Sequence, residues 1–223
     1  MNEALILYEL IFCVASIFVL HKFFKLSGLY AFNIIAVIAA NIQVLKFTSF
    51  SFYSSQVALG SVIFSSTFIV DNIITEEYGP KSARDGVLLS SLAYIIFSIA
   101  MYICIFYRNV GDPYMGGCIR AIFSNSYGII ISSIFSYVAS KLFDVYCFEG
   151  IKKITFGKLK WIRFNVSSLI SAFIDQVVFS VLCWKVFLVR EFSWYEIFSV
   201  YVTFGYCFRA IMIIIVGTIF SRK

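Results

Sequence analysis

The sequence predicts an all-α protein, a polytopic helical membrane bundle with seven transmembrane helices in one domain covering residues 1–223. Three observations carry this. First, 61% of the 223 residues are hydrophobic and 13% are charged, whereas a soluble domain carries roughly 25% charged residues and under half apolar ones. Second, apolar runs of about 18–25 residues recur along the chain, the length that crosses a hydrocarbon core of ~30 Å. Third, the runs are continuous rather than alternating, which argues against a membrane β-barrel. A helix also pairs every backbone amide within its own span, as lipid requires.

The spans follow in order. The first covers about Ala4–Leu20 and contains Glu9, an acidic residue set either at an interface or against a neighbouring helix. It lacks the basic start and small-residue cleavage pattern of a signal peptide. The second covers Leu29–Leu45, with Asn33 and Asn41, and a Ser- and Phe-rich connector leads to the third, Val57–Thr75. The fourth covers Gly86–Tyr107, followed by a polar loop containing Gly111, Asp112, Pro113, Gly116 and Gly117. The fifth covers Ser126–Phe148, and a long basic loop, Glu149 to Arg163, separates it from the sixth, Val166–Val186. The seventh covers Ile197–Phe220. Pro80 and Pro113 are the only prolines, and both fall between spans.

The net charge of +6 does not point to nucleic acid, because the basic residues sit mainly in short loops, where they set orientation. One set of loops holds Lys22, Lys25, Lys81, Arg84, Lys152, Lys153, Lys158, Lys160, Arg163, Arg222 and Lys223, eleven against the five of the other set, Lys46, Arg108, Arg120, Lys185 and Arg190. The richer side faces the cytoplasm, which places the C-terminus inside and, for an odd number of spans, the N-terminus outside. The six cysteines form no CxxC pair and read as small apolar fillers. No metal or cofactor is expected. The single histidine, His21, ends the first span.

Asp71, Lys141, Asp144, Asp175 and Arg209 stand in otherwise apolar runs. A charge near the bilayer centre costs roughly 2.5–3.5 kcal/mol, so these side chains must face the bundle interior, an aqueous cavity or each other. Ser133, Tyr137, Ser140 and Asp144 lie on one helical stripe, and Ser168, Ser171 and Asp175 on another. Asp71 shares a face with Thr75 beside Asn72, and Tyr206 with Arg209. Plainer roles stand beside this. The serines can pack or bond their own backbone, Asp144 can anchor at the interface or pair with Lys141, and Arg209 can neutralise an aspartate.

Five segments together are similar to a known family. DNIITEEYGPKSAR (Asp71 to Arg84) resembles the signature of the queuosine precursor transporter family, and ANIQVLK (Ala40 to Lys46) resembles its earlier Asn-containing helix. SYVASKLFDVYCF (Ser136 to Phe148) resembles its small-residue helix. KWIRFNVSSLISAFID (Lys160 to Asp175) resembles the segment leading to its buried aspartate. YCFRAI (Tyr206 to Ile211) resembles its last helix, with Arg209 where the family usually has Lys. The similarity covers residues 29–215 in order, and the chain resembles members that add an N-terminal helix to a six-helix core. Ser61 departs from the family's Asn after Leu-Gly.

The resemblance implies a multi-pass importer in the inner (plasma) membrane of a bacterium. Its cargo would be a 7-deazaguanine base: 7-cyano-7-deazaguanine, 7-aminomethyl-7-deazaguanine or queuine, salvaged for transfer RNA modification. A guanine-like edge presents two neighbouring N–H donors that one carboxylate can accept. The substrate-binding residues would then be Asp71 and Asp175, with Asn72 and Gln176 as helpers, joined by Asp144, Arg209 and Asn41. The alternative is the substrate-binding membrane subunit of an energy-coupling-factor vitamin transporter. An intramembrane hydrolase would need a Ser-His pair or a metal site, and one interfacial histidine does not supply either. A purely structural protein would have no need of the buried charges.

Overall fold

The structure is a computed structural model that describes residues 2–50, 53–124, 127–187 and 193–221. Ser126, Arg190, Arg222 and Lys223, named above, lie outside the described residues. The architecture is helical, and among the described residues four helices are long and apolar enough to cross a membrane.

The first two expected spans form one helix, α1 (Asn2–Gln43). A straight helix of this length would reach ~63 Å. Yet Asn2 Nδ2 donates to Thr48 Oγ1 at 2.9 Å and to the Ser49 carbonyl at 2.8 Å, both beyond the far end. The helix therefore doubles back, at Lys25, whose φ of 53° and ψ of −131° are not helical. The two legs touch beside this turn, where a Cβ on Gly28 would stand 2.3 Å from the Leu20 carbonyl oxygen.

Helix α2 (Ser61–Cys104) repeats the device with the third and fourth spans. Its two ends both lie beside the end of α1. Gly60 packs on Ala40, and Tyr94, Phe97 and Ser98 line a small cleft with Asn41, Ile42 and Leu45. The bend is at Gly79, with φ 86° and ψ 162°, a region essentially reserved for glycine. Pro80 follows and cannot donate the amide a continuous helix would need. A Cβ at Gly79 would meet nothing within 4 Å, so Gly79→Ala tests backbone strain alone. It is expected to cost about 1–3 kcal/mol, read as a lower melting temperature of the purified protein. An unchanged value would show that the bend does not need glycine.

Several boundaries differ from those expected. The connector before α2 is an antiparallel hairpin of β1 (Phe47–Phe50) and β2 (Tyr53–Ala58), so the third helix starts at Ser61 and not at Val57. The polar loop after α2 contains α3 (Pro113–Ser124), an exposed helix opened by proline, whose fixed φ suits a first turn. The basic loop is short, because α4 (Tyr127–Ile154) runs on through Glu149 and ends with Lys152 and Lys153 in its last turn. Basic side chains there complement the helix dipole. α5 (Lys160–Val181) continues as π-helical turns, Leu182–Phe187. The last segment comprises α6 (Trp194–Glu196), π-helical turns Ile197–Phe204 and α7 (Gly205–Ser221).

The first leg of α2 is the centre of the bundle. Every residue from Val62 to Thr75 is buried, and α2 packs on α1, α4, α5 and α7. The outer faces carry exposed apolar side chains such as Phe12, Leu92, Ile96 and Phe135, as a lipid-facing surface does. The interior instead buries Asn33, Asp71, Lys141, Asp144, Ser168 and Asp175. Two glycines of α7 let polar side chains of α5 lie flat against it. A Cβ on Gly205 would stand 2.8 Å from Gln176 Nε2, and one on Gly217 would stand 2.5 Å from Asn165 Oδ1.

A buried charge cluster as candidate transport site

The helical stripes expected from the sequence converge at the heart of the bundle. Asp71, on the enclosed leg of α2, accepts a hydrogen bond from Asn33 Nδ2 at 2.7 Å through Oδ1. Its Oδ2 lies 2.9 Å from Lys141 Nζ of α4, a charge contact rather than an aligned hydrogen bond. Asp71 and Lys141 are both fully buried. Lys141 also sits 3.5 Å from the centroid of the Phe68 ring, where the negative face of the π-system stabilises a cation.

A second pair stands beside the first. Arg209 of α7 donates to Asp175 of α5, and Ser140 Oγ of α4 donates to the same carboxylate at 3.3 Å. The Arg209 guanidinium carbon lies 4.6 Å from the centroid of Phe64, and the Lys141 ammonium lies 5.8 Å from the same ring. Phe64 thus lies near both cations, and Tyr137 packs edge-on against it at 6.1 Å between centroids.

Asp144 is the third carboxylate. Ser171 Oγ donates to its Oδ1 at 3.3 Å, while Oδ2 meets no hydrogen-bond partner among the described residues. It is completely buried, one helical turn beyond Lys141 on α4. The cluster therefore sets three carboxylates against two cations. Burial of charge without full pairing is costly in lipid, so with all five groups ionised the site is one positive charge short.

The residues expected from the sequence divide as follows. Asp71, Asp144, Asp175 and Arg209 come together in the cluster. Asn72 is buried beside it, donating to the Phe164 carbonyl at 2.9 Å and to Ser168 Oγ at 2.7 Å, so it ties α2 to α5. Gln176 is buried against Gly205. Asn41 is elsewhere: it is half-buried, donates to the Val37 carbonyl of its own helix at 2.9 Å and lines the separate cleft with Tyr94. The asparagine at the cluster is Asn33. Ser133 is only partly buried, and Ser132 and Ser136 face inward instead. Lys141 partners Asp71, although it also feels Asp144. Helical spacing alone would have revealed Phe64, Phe68 and Asp71 as one stripe, and Tyr137 and Lys141 as another. Glu9, the acidic residue of the first span, faces Gln43 of the returning leg.

A second polar assembly closes the end of the bundle where α1 and α2 turn. Arg163 is buried and binds Glu76 through two nitrogens, at 3.2 and 2.6 Å, and donates to the carbonyls of Gly157 and Lys158 at 2.9 and 3.1 Å. Lys152 adds a contact to Glu76 at 3.3 Å, and His21 contacts Glu77 at 2.9 Å. This clamp joins α2, α4 and α5. Glu76→Gln removes the charge that Arg163 is held by, and is expected to lower stability by about 1.5–3 kcal/mol. Thermal unfolding in detergent measures it; Arg163 without a structural role would leave the melting temperature unchanged.

A membrane-spanning helical bundle with ion pairs enclosed at its centre has the build of a small-molecule membrane transporter. The chain belongs to the family described as "Putative vitamin uptake transporter", whose model matches residues 58–221. It is 24% identical over 161 residues to the "Probable queuosine precursor transporter" of Bacillus subtilis (strain 168), covering 72% of this chain and 69% of that one. These matches bear out the resemblance read from the five sequence segments. No solved structure matches the chain.

Proposed function

We propose that the protein imports a 7-deazaguanine base, a queuosine precursor, across a bacterial plasma membrane. The observation that carries the reading is the enclosed cluster of Asp71, Asp144 and Asp175 with Lys141 and Arg209, in a chain of a transporter family. The name of the Bacillus subtilis relative supplies the substrate class. In this reading the neighbouring N–H donors of the guanine-like edge take the place of a cation on Asp71 or Asp175. Asn72 and Gln176 hold the helices that carry them. The base stacks against the aromatic wall of Phe64, Phe68 and Tyr137, which aromatic stacking favours. A substrate amine, where present, supplies the positive charge that the cluster lacks.

The topology proposed with it has seven crossings, the two legs of α1 and α2 each counting separately. The N-terminus is outside and the C-terminus cytoplasmic. Support comes from the basic residues. Lys22, Lys25 and Lys160 line one cleft with Phe220, near the end of α7, and Asn2 lies at the opposite end beside the β-hairpin.

The test is uptake in a bacterium that lacks both deazaguanine synthesis and its own transporter. Each base is supplied at low concentration, and queuosine in transfer RNA is assayed. Restoration by one base is the expected result; a chain that reaches the membrane and restores nothing, with the downstream enzymes present, overturns the reading. A second reading takes up the vitamin named in the family's description: the substrate-binding membrane subunit of an energy-coupling-factor vitamin transporter, served by separate ATPases. Co-purification of ATPase subunits would point that way.

A further inference from the structure

At the end of the bundle where α1 and α2 turn, a cleft of about 230 Å³ opens between α1, α2, α5 and α7. Its walls are apolar: Phe18, Ile73, Phe164 and Phe220. Phe18 and Phe220 face one another with centroids 6.3 Å apart, and Phe18 is 42% exposed, so the cleft is open toward the lipid side. Its rim is basic, carrying Lys22, Lys25 and Lys160 with His21. Two acidic residues also reach it: Glu76 is paired with Arg163 and Lys152, and Glu77, 2.9 Å from His21 Nε2, sets a single carboxylate against the three lysines. Lys22, Lys25 and Lys160 enter no ion pair among the described residues. The cleft therefore keeps a net positive rim over an aromatic wall. The non-helical backbone at Lys25 turns the chain at this rim.

This chemistry fits one kind of ligand. A phosphate group with attached hydrocarbon offers charge to the lysines and methylenes to the phenylalanines. Basic pockets between membrane helices bind acidic headgroups in this way. A free phosphate would use the lysines only. We propose that the cleft binds the headgroup of an anionic phospholipid, with the phosphate on Lys22, Lys25 and Lys160 and the first part of the acyl chains on Phe18, Phe164 and Phe220. The inference is independent of the transported substrate.

The full chain, purified and placed in nanodiscs of phosphatidylcholine alone or of phosphatidylcholine with phosphatidylglycerol, is melted while tryptophan fluorescence is followed. Phosphatidylglycerol is expected to raise the melting temperature by several degrees. It is also expected to remain bound in native mass spectrometry, whereas inorganic phosphate at matching concentration does neither. Changing Lys22, Lys25 and Lys160 together to Gln should weaken lipid retention roughly hundredfold, at about 1 kcal/mol per basic residue. The same positions changed to Arg should keep it. The three side chains are exposed or half-exposed, so the Gln protein should melt normally in phosphatidylcholine. Equal behaviour of the wild type in the two lipids overturns the proposal without recourse to any variant. So does a Gln protein that keeps the preference. An equal effect of inorganic phosphate shows a plain anion site and overturns the lipid assignment.

Discussion

Lys141→Met is expected to lower stability by about 3–5 kcal/mol, and adding Asp71→Asn is expected to recover much of the loss. The reasoning starts from burial. Both side chains are enclosed on the central leg of α2 and its α4 neighbour. Removing the cation leaves a carboxylate with only Asn33 to stabilise it, and an uncompensated buried charge costs that order of free energy. Removing both charges abolishes the penalty along with the attraction, so the double variant should melt closer to wild type than Lys141→Met does. The Phe68 ring adds to the single-variant cost, because its face is matched to an ammonium. Thermal unfolding of the wild type, both single variants and the double variant gives the coupling. Additive losses would show that Asp71 and Lys141 do not act as a pair.

The second large effect concerns transport. Asp175→Asn is expected to lower uptake by at least roughly tenfold, the loss of one charge-assisted hydrogen bond, with a smaller stability cost than Lys141→Met. The Arg209 side chain is 14% exposed, whereas that of Lys141 is fully enclosed, so water can reach a stranded guanidinium more easily than a stranded ammonium. Arg209→Lys is expected to retain measurable uptake, since it preserves the charge. Initial uptake rates normalised to membrane-inserted protein provide the measurement. Full uptake by Asp175→Asn would remove that carboxylate from the site.

The sequence made the membrane class plain because length and apolarity of a span are local properties. It made Asp71, Asp144, Asp175 and Arg209 visible because a charge in an apolar run has a cost that needs a reason. Pairing was less legible. Asp71 and Lys141 are far apart in the chain, and only packing decides that Lys141 turns to Asp71 while Asp144 looks to Ser171. Phe64 was legible only through its helical spacing to Asp71, because hydropathy does not mark it. A phenylalanine beside two cations and one facing lipid have the same hydropathy. Asn41 and Asn33 lie about two helical turns apart on one leg, and a motif match selected the one that bonds its own backbone. Helix ends were missed where hydropathy reports the edge of the lipid and not the end of the helix, as at Ile154. The strands Phe47–Phe50 and Tyr53–Ala58 are too short and too mixed in composition to stand out from a connector.

The odd number of charges in the central cluster has an electrical consequence. With all five groups ionised, three carboxylates and two cations leave one negative charge inside the membrane, held on helices that pack tightly together. A full elementary charge crossing a potential of 100 mV changes free energy by about 2.3 kcal/mol. That is roughly a fiftyfold bias between two conformations that expose the cluster to opposite faces. A neutral substrate would leave the bias in place, whereas a cationic one, or a proton, would cancel it. The response of initial uptake to an imposed voltage therefore reports the charge carried on each half of the cycle.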